Sequence, residues 1–224
     1  SAADRKSLKL KVSAEPLDNQ GVIEVLIYTQ DHSGLFARTC AGLALSGATV
    51  QDARIVTSKD GMSINTFLIR LANANNMLEI KSRIKVLIDN ITKTIFEERD
   101  TNLLLKEFNN LQLPSRLDTI KIEPRVLIDN LTSQTHTLVE INAKDKTGLL
   151  YSIANELFLI GLQISTARIS TYGVRVVDVF YLKDMTGSKI MDENKIQIIK
   201  KKLMQCLVLS EIENKLSNVG LEKA

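Results

Sequence analysis

The chain has 224 residues, 44% of them hydrophobic and 25% charged, a mixture that suits a globular protein and excludes a collagenous or largely disordered one. Lys and Arg number 29 against 26 Asp and Glu, and a net charge of +3 over this length predicts neither nucleic acid nor an acidic membrane as a partner. The longest apolar runs fall far short of the roughly 20 residues that span a bilayer. Cys40 and Cys206 stand far apart with no pairing pattern, as in a reducing compartment, and the chain opens at Ser1 without signal-peptide architecture. These features lead us to expect a piece of a longer cytoplasmic protein.

In chain order, Leu8 to Ala14 reads as a leading strand, joined by a short polar turn to an apolar, β-branched strand over Val22 to Tyr28. The apolar spacing turns helical from Leu35 to Leu45, and Gly47 follows as a helix stop. A strand over 48–57, a turn at Asp60-Gly61 and a strand over 62–71 form a hairpin. A second helix runs from Met77 to about Glu98, with Ile80, Ile84, Leu87, Ile88, Ile91 and Ile95 on one face. Asp100 to Thr119 is a polar connector with a helical turn expected at Leu103 to Phe108.

The pattern then starts again. Ile122 to Asp129 and Thr137 to Ala143 read as strands, Leu149 to Ile160 as a helix stopped by Gly161, and 162–170 and 174–182 as a hairpin turning near Tyr172-Gly173. A last helix runs from Asp192 to about Leu209, and Ser217 to Ala224 is too short and polar for a buried strand. Asp31-His32-Ser33-Gly34-Leu35 recurs 114 residues later as Asp145-Lys146-Thr147-Gly148-Leu149, and ten of the 27 positions from 31 to 57 are identical at that shift. After Thr171 the second copy is one residue shorter, which sets Phe180 opposite Phe67.

Each copy reads βαββα, one strand short of the ferredoxin-like βαββαβ unit. The leading strands 8–14 and 122–129 fill that gap if each pairs with the strand that follows it. The expected fold is α+β, with two tandem ferredoxin-like units, each an antiparallel four-stranded sheet with two helices on one face. The expected division is 1–99, a connector over 100–120, and 121–224.

The chemistry points to the junction of strand and first helix. A glycine there lets a ligand approach the backbone, and a helix N-terminus favours an anion. The Asp three residues earlier can cap the helix or accept a hydrogen bond from an ammonium group, so one turn complements both charges of an amino-acid zwitterion. Asp31 and Asp145 as simple caps, and Gly34 and Gly148 as simple turn residues, form the plainer alternative.

The fold pattern and the Asp-x-x-Gly-Leu turns resemble ACT domains, small regulatory modules that bind amino acids at domain interfaces. The likeness is closer still to the tandem ACT region ending the bifunctional protein-PII uridylyltransferase/uridylyl-removing enzymes. It is carried by Asp31 to Arg38, Asp52-Ala53-Arg54-Ile55, Pro124 to Asn130, Gly161 to Ser165, Thr171-Tyr172-Gly173 and Val177 to Tyr181. The resemblance implies a glutamine sensor that controls uridylylation and deuridylylation of the PII signal protein. Catalysis would belong to nucleotidyltransferase and metal-dependent phosphohydrolase domains absent from this chain, with magnesium or another divalent metal expected there and no cofactor here. No Gly-Ser with paired Asp residues typical of a nucleotidyltransferase and no adjacent His-Asp pair occurs. His32 and His136 are the only histidines, too few for a histidine-rich metal centre.

The ligand-binding residues expected on this reading are Asp31, His32, Gly34, Leu35 and Phe36 in the first copy and Asp145, Gly148, Leu149 and Leu150 in the second. Gln51 and Ser165 on the following strands are candidates for reading a ligand side chain. The aspartates would hold an ammonium group, and N–H groups after the glycines a carboxylate. Family members often carry Pro where this chain has Ser33 and Thr147, whose hydroxyls are candidate helix caps. Arg54 and Arg168 read as solvated or salt-bridged strand residues, with contact to a ligand or partner as the alternative, and Cys40 and Cys206 as core. Asp178 stands in an apolar strand opposite Asn65, where burial calls for a partner. L-Glutamine, PII and a homo-oligomer through ACT sheets are the expected partners, with neither nucleic acid nor membrane among them. The alternatives are a structural or protein-interaction ACT module docking PII or the catalytic domains, and the regulatory region of another amino-acid-controlled enzyme.

Overall fold

A computed structural model describes residues 10–17, 21–71, 76–96 and 120–221, with the backbone alone for 209–221. The expected connector turn at 103–108 and the start of the leading strand at Leu8 lie outside the described residues. The first half contains β1 (Lys11–Pro16), β2 (Val22–Gln30), α1 (Leu35–Leu45), β3 (Ala48–Thr57), β4 (Met62–Leu71) and α2 (Met77–Phe96). The second contains β5 (Arg125–Asp129), β6 (Thr137–Lys144), α3 (Leu149–Leu159), β7 (Leu162–Arg168), β8 (Thr171–Tyr172), β9 (Arg175–Asp184) and α4 (Glu193–Leu221).

The strands form two antiparallel sheets, ordered β1-β2-β4-β3 and β5-β6-β9-β7, with β8 added to β9. Each leading strand lies antiparallel beside the strand that follows it, Lys11 opposite Tyr28 and Arg125 opposite Asn142. The fourth strand of the ferredoxin-like sheet therefore enters from the front of each copy. Alternation builds the core: Ile23, Val25 and Ile27 are buried in β2, while Glu24 and Leu26 on its other face are exposed. Phe67 and Phe180, fully buried in β4 and β9, occupy matching places in the two cores.

Local chemistry sets the helix ends. Gly47, at a φ of 65°, closes α1 by donating its N–H to the Ala44 carbonyl at 2.9 Å. Asn76 Oδ1 accepts the Glu79 N–H at 2.9 Å at the start of α2, and Asp192 Oδ1 accepts that of Asn194 at 2.9 Å at the start of α4. Gly42 lets α1 lie against α2, since a Cβ there would fall 2.6 Å from the Ile91 Cα. The last helix corrects the sequence expectation, because it runs on past Leu209 to Leu221. Ile212, Leu216 and Val219 continue the helical spacing beyond Leu209, and Glu, Lys and Leu in that segment favour helix by intrinsic propensity.

The halves meet through equivalent elements, α1 against α3 and the edge of β3 against the edge of β7. Contact between like elements is the signature of an approximate two-fold relation. It sets each Asp-x-x-Gly turn toward the far end of the other half's first helix.

Candidate functional site

Both turns have the same backbone. Gly34 and Gly148 each adopt a φ of 80° at the N-cap of the following helix, and neither helix has a side-chain cap. Ser33 and Thr147 therefore do not cap, nor do Asp31 and Asp145. The Asp31 N–H donates to the Gly61 carbonyl and the Asp145 N–H to the Val174 carbonyl, each at 2.8 Å. The Leu35 N–H donates to the His32 carbonyl and the Leu149 N–H to the Lys146 carbonyl, each at 3.1 Å, and no side chain caps either helix start, which keeps its partial positive charge.

The surroundings of the two turns differ. Asp31 is exposed, and its Oδ2 accepts the Thr57 hydroxyl at 3.0 Å. The matching hydroxyl of the second half, on Thr171, instead donates to the Val50 carbonyl across the junction at 3.4 Å. Phe158 packs its ring over Gly34, so that a Cβ added to that glycine would lie 3.5 Å from the ring. At the shift of 114 the counterpart of Phe158 is Ala44, which leaves the space beside the second turn open.

That space is a cleft of about 860 Å³ between the halves. The first half contributes Cys40, the α1 end from Leu43 to Gly47, the start of β3 from Ala48 to Val50, and Glu79, Arg83 and Val86 of α2. The second half contributes the turn and first residues of α3 from Asp145 to Tyr151, with Ile169, Thr171, Val176 and Asp178. Its size and mixed lining are those of a small-molecule site.

Electrostatics single out the same place. Burial pushes the Asp145 carboxyl up from its ordinary range, against a backbone N–H of Lys146. Asp178 is 2% exposed and is pushed up to about 7, mainly by burial. The Ser170 N–H, 3.4 Å from its Oδ1, works against that rise, and the Asp145 charge adds to it. The Cys40 thiol is raised well above its usual value by burial, with the Asp178 charge contributing.

Of the residues singled out from sequence, Asp145, Gly148, Leu149 and Leu150 line the cleft together. Leu35 and Phe36 are buried, and Phe36 stacks on Phe67 with centroids 5.8 Å apart, so these two serve the first core. His32 Nδ1 lies 3.1 Å from the Ser33 carbonyl. Gln51 and Ser165 sit at matching β-bulges, where the ladder skips between Val50 and Asp52 and between Ile164 and Thr166; neither is among the residues lining the cleft. Arg54 and Arg168 are exposed. Phe158, Ala44 and Arg83 escaped sequence reasoning because their importance comes from apposition of the halves. Among the described residues no group of three or more His, Cys, Asp or Glu side chains is placed to hold a metal ion. No described helix is long and apolar enough to cross a membrane.

Comparison with known proteins agrees with this architecture. Residues 125–219 match the family model described as an ACR9-like, ACT-like domain. The chain is 38% identical over 190 residues to the bifunctional uridylyltransferase/uridylyl-removing enzyme of Azospirillum brasilense, covering 84% of this chain and 20% of that protein. It is 34% identical over 212 residues to the enzyme of that name from Gluconobacter oxydans, covering 94% and 22%. For the Rhodospirillum rubrum enzyme the figures are 35% over 223 residues, with 97% and 23% covered. The chain thus spans only about a fifth of the length of these relatives. The second half matches an ACT-like domain, the first half repeats its four-strand order without a counterpart of β8, and the chain has an ACT-type α+β arrangement similar to part of the bifunctional uridylyltransferase/uridylyl-removing enzymes.

Proposed function

We propose that this chain is an allosteric sensor of a free amino acid, with L-glutamine as the effector, and that the cleft at the second turn is its binding site. The observation that carries the reading is the open junction beside Gly148, where the uncapped start of α3 and the half-buried Asp145 face the other half. The ligand carboxylate would lie at the N-terminus of α3, past the Leu149 N–H that the Lys146 carbonyl takes, and Asp145 would hold the ammonium group. The choice of glutamine rests on the resemblance to the uridylyltransferase/uridylyl-removing enzymes.

The site's position supports a regulatory role. A ligand that touches both halves binds best to one arrangement of them, and that difference in affinity is what shifts a conformational equilibrium. In this proposal the arrangement is reported to nucleotidyltransferase and phosphohydrolase domains elsewhere in a cytoplasmic parent enzyme, which act on PII and use a divalent metal there. Association of copies through ACT sheets belongs to the same proposal.

Calorimetric titration of the 224-residue chain with L-glutamine, with L-glutamate and D-glutamine as controls, tests it. Saturable L-glutamine binding at one site per chain is expected. No heat and no thermal shift up to several times a millimolar-range Kd would overturn the sensor reading and favour an interaction module.

A further inference from the structure

Equivalent positions beneath the two turns carry opposite chemistry. In the first half Thr29 on β2 pairs with Ser63 on β4, and the Ser63 hydroxyl donates to Asn65 Oδ1 at 3.0 Å. In the second half the matching residues are Ala143, paired with Val176, and Asp178. The second half has lost two hydroxyls and gained a carboxylate. Nothing in the packing of the sheet calls for that exchange, since Asn65 fits the same place as a neutral group and is 1% exposed. A buried carboxylate is costly unless donors meet it, and the Ser170 N–H meets Asp178 only at 3.4 Å.

Asp178 is among the residues lining the cleft, and its one hydrogen bond among the described residues is the long one from Ser170, so it has capacity for a further donor there. We propose that Asp178 is a specificity-determining residue: its carboxylate accepts N–H bonds from a neutral, donating end group of the ligand and rejects a ligand whose end group is anionic. The inference rests on the amino-acid-binding reading above and deepens it. With Asp145 holding the ammonium group, Asp178 meets the distal end, where a carboxamide supplies two N–H donors and a carboxylate supplies none. A site built to accept hydrogen bonds rejects the analogue that cannot give them, because the buried acceptor is then left unpaired and a second negative charge is brought beside it.

The other titratable or charged side chains around the cleft are Asp145 and Lys146 of the turn, Tyr151 of α3, Cys40 of α1, and Glu79 and Arg83 of α2. Arg83 donates to the Ser46 carbonyl at 3.5 Å. Asp145 serves the ammonium group common to both ligands, so its protonation cancels when their affinities are compared as a ratio. The Asp178 carboxyl does not cancel. Its titration near 7 makes the comparison sensitive to pH, since a protonated Asp178 can donate to a carboxylate.

The test is calorimetric titration of the 224-residue chain with L-glutamine and L-glutamate at pH 8 and pH 6, for wild type and Asp178→Asn. Wild type is expected to prefer glutamine by about tenfold or more at pH 8 and by less at pH 6. Asp178→Asn, whose amide can donate to glutamate, is expected to bring the ratio near unity and remove its pH dependence. The wild-type pH comparison decides the matter if the variant does not fold. A variant that weakens both ligands alike and keeps the ratio overturns the inference, as does a wild type that does not discriminate between them. A wild type that binds neither overturns the sensor reading itself.

Discussion

The Phe158 ring lies over Gly34, close enough that a methyl group added there would touch it at 3.5 Å. Phe158 belongs to the second half and Gly34 to the first, so one half closes the turn of the other. Its counterpart Ala44 has no ring to place over Gly148, and the exchange of one aromatic for one methyl leaves a single open turn from a duplicated pair.

This asymmetry predicts that the two aspartates are not equivalent. Asp145→Ala should weaken L-glutamine binding at least about tenfold, the cost of a buried charge-assisted hydrogen bond. Asp31→Ala, which removes an exposed carboxylate bonded to Thr57, should leave affinity within about twofold and cost less than about 1 kcal/mol of stability. Parallel titrations of the two variants check this, and equal loss from both would mean that both turns bind.

Gly42 should resist substitution. A Cβ there would sit 2.6 Å from the Ile91 Cα and 2.7 Å from Thr94 Oγ1, and the nearer neighbour is backbone that cannot swing away. Gly42→Ala should force α1 from α2 and destabilise the chain by about 1–3 kcal/mol despite the better helix propensity of alanine. Urea denaturation followed by circular dichroism measures the change.

Thr29 offers the opposite sign. Its hydroxyl is buried and has no hydrogen-bond partner among the described residues, while the matching residue of the second half is Ala143. Thr29→Val keeps the shape and removes the unsatisfied group, so a gain of about 1 kcal/mol is expected. A loss in the denaturation midpoint would show that the hydroxyl is satisfied in solution.

Asp178 links the site to stability. Its carboxyl is raised in the folded chain to about 7 from an ordinary value of 3.8, so the folded state holds the proton more tightly than the unfolded state. The corresponding stabilisation is fully present below about pH 4 and is lost as the pH rises through 7. The span corresponds to at most about 4 kcal/mol. Asp178→Asn should therefore be more stable than wild type at pH 8 and should lose the part of the pH dependence that lies between 4 and 7. Chemical denaturation at pH 5 and pH 8 gives both numbers. Stability gained together with ligand discrimination lost would mark a residue kept for binding at the expense of folding.

Much of the fold was legible in the residues because period and punctuation agree. The helix over 35–45 and the strands over 48–57 and 62–71 end where the sequence places them, since Gly47 and Asp60-Gly61 interrupt one periodicity and start another. The pairing of each leading strand followed from the missing element of the βαββαβ unit, and the ladders between Lys11 and Tyr28 and between Arg125 and Asn142 bear it out. Thr171 and Tyr172 escaped notice as a strand because a two-residue pairing with Val176 and Arg175 leaves no alternation to read. The sequence expectation ends α4 near Leu209 although Ile212, Leu216 and Val219 continue the helical spacing, and the structure carries the helix to Leu221.

The sequence by itself determined the duplication, the strand and helix order, and the two turns with a left-handed glycine before a helix, because each depends on neighbours within a few residues or on comparison at one shift. Only the tertiary structure decided which turn is open. That depends on what the other half places beside it, Phe158 over Gly34 and Ala44 toward Gly148, and on Asp178 reaching the same cleft as Asp145 from a different strand. Such apposition across a junction is set by packing between distant segments, which carries no period and no local signal in the chain.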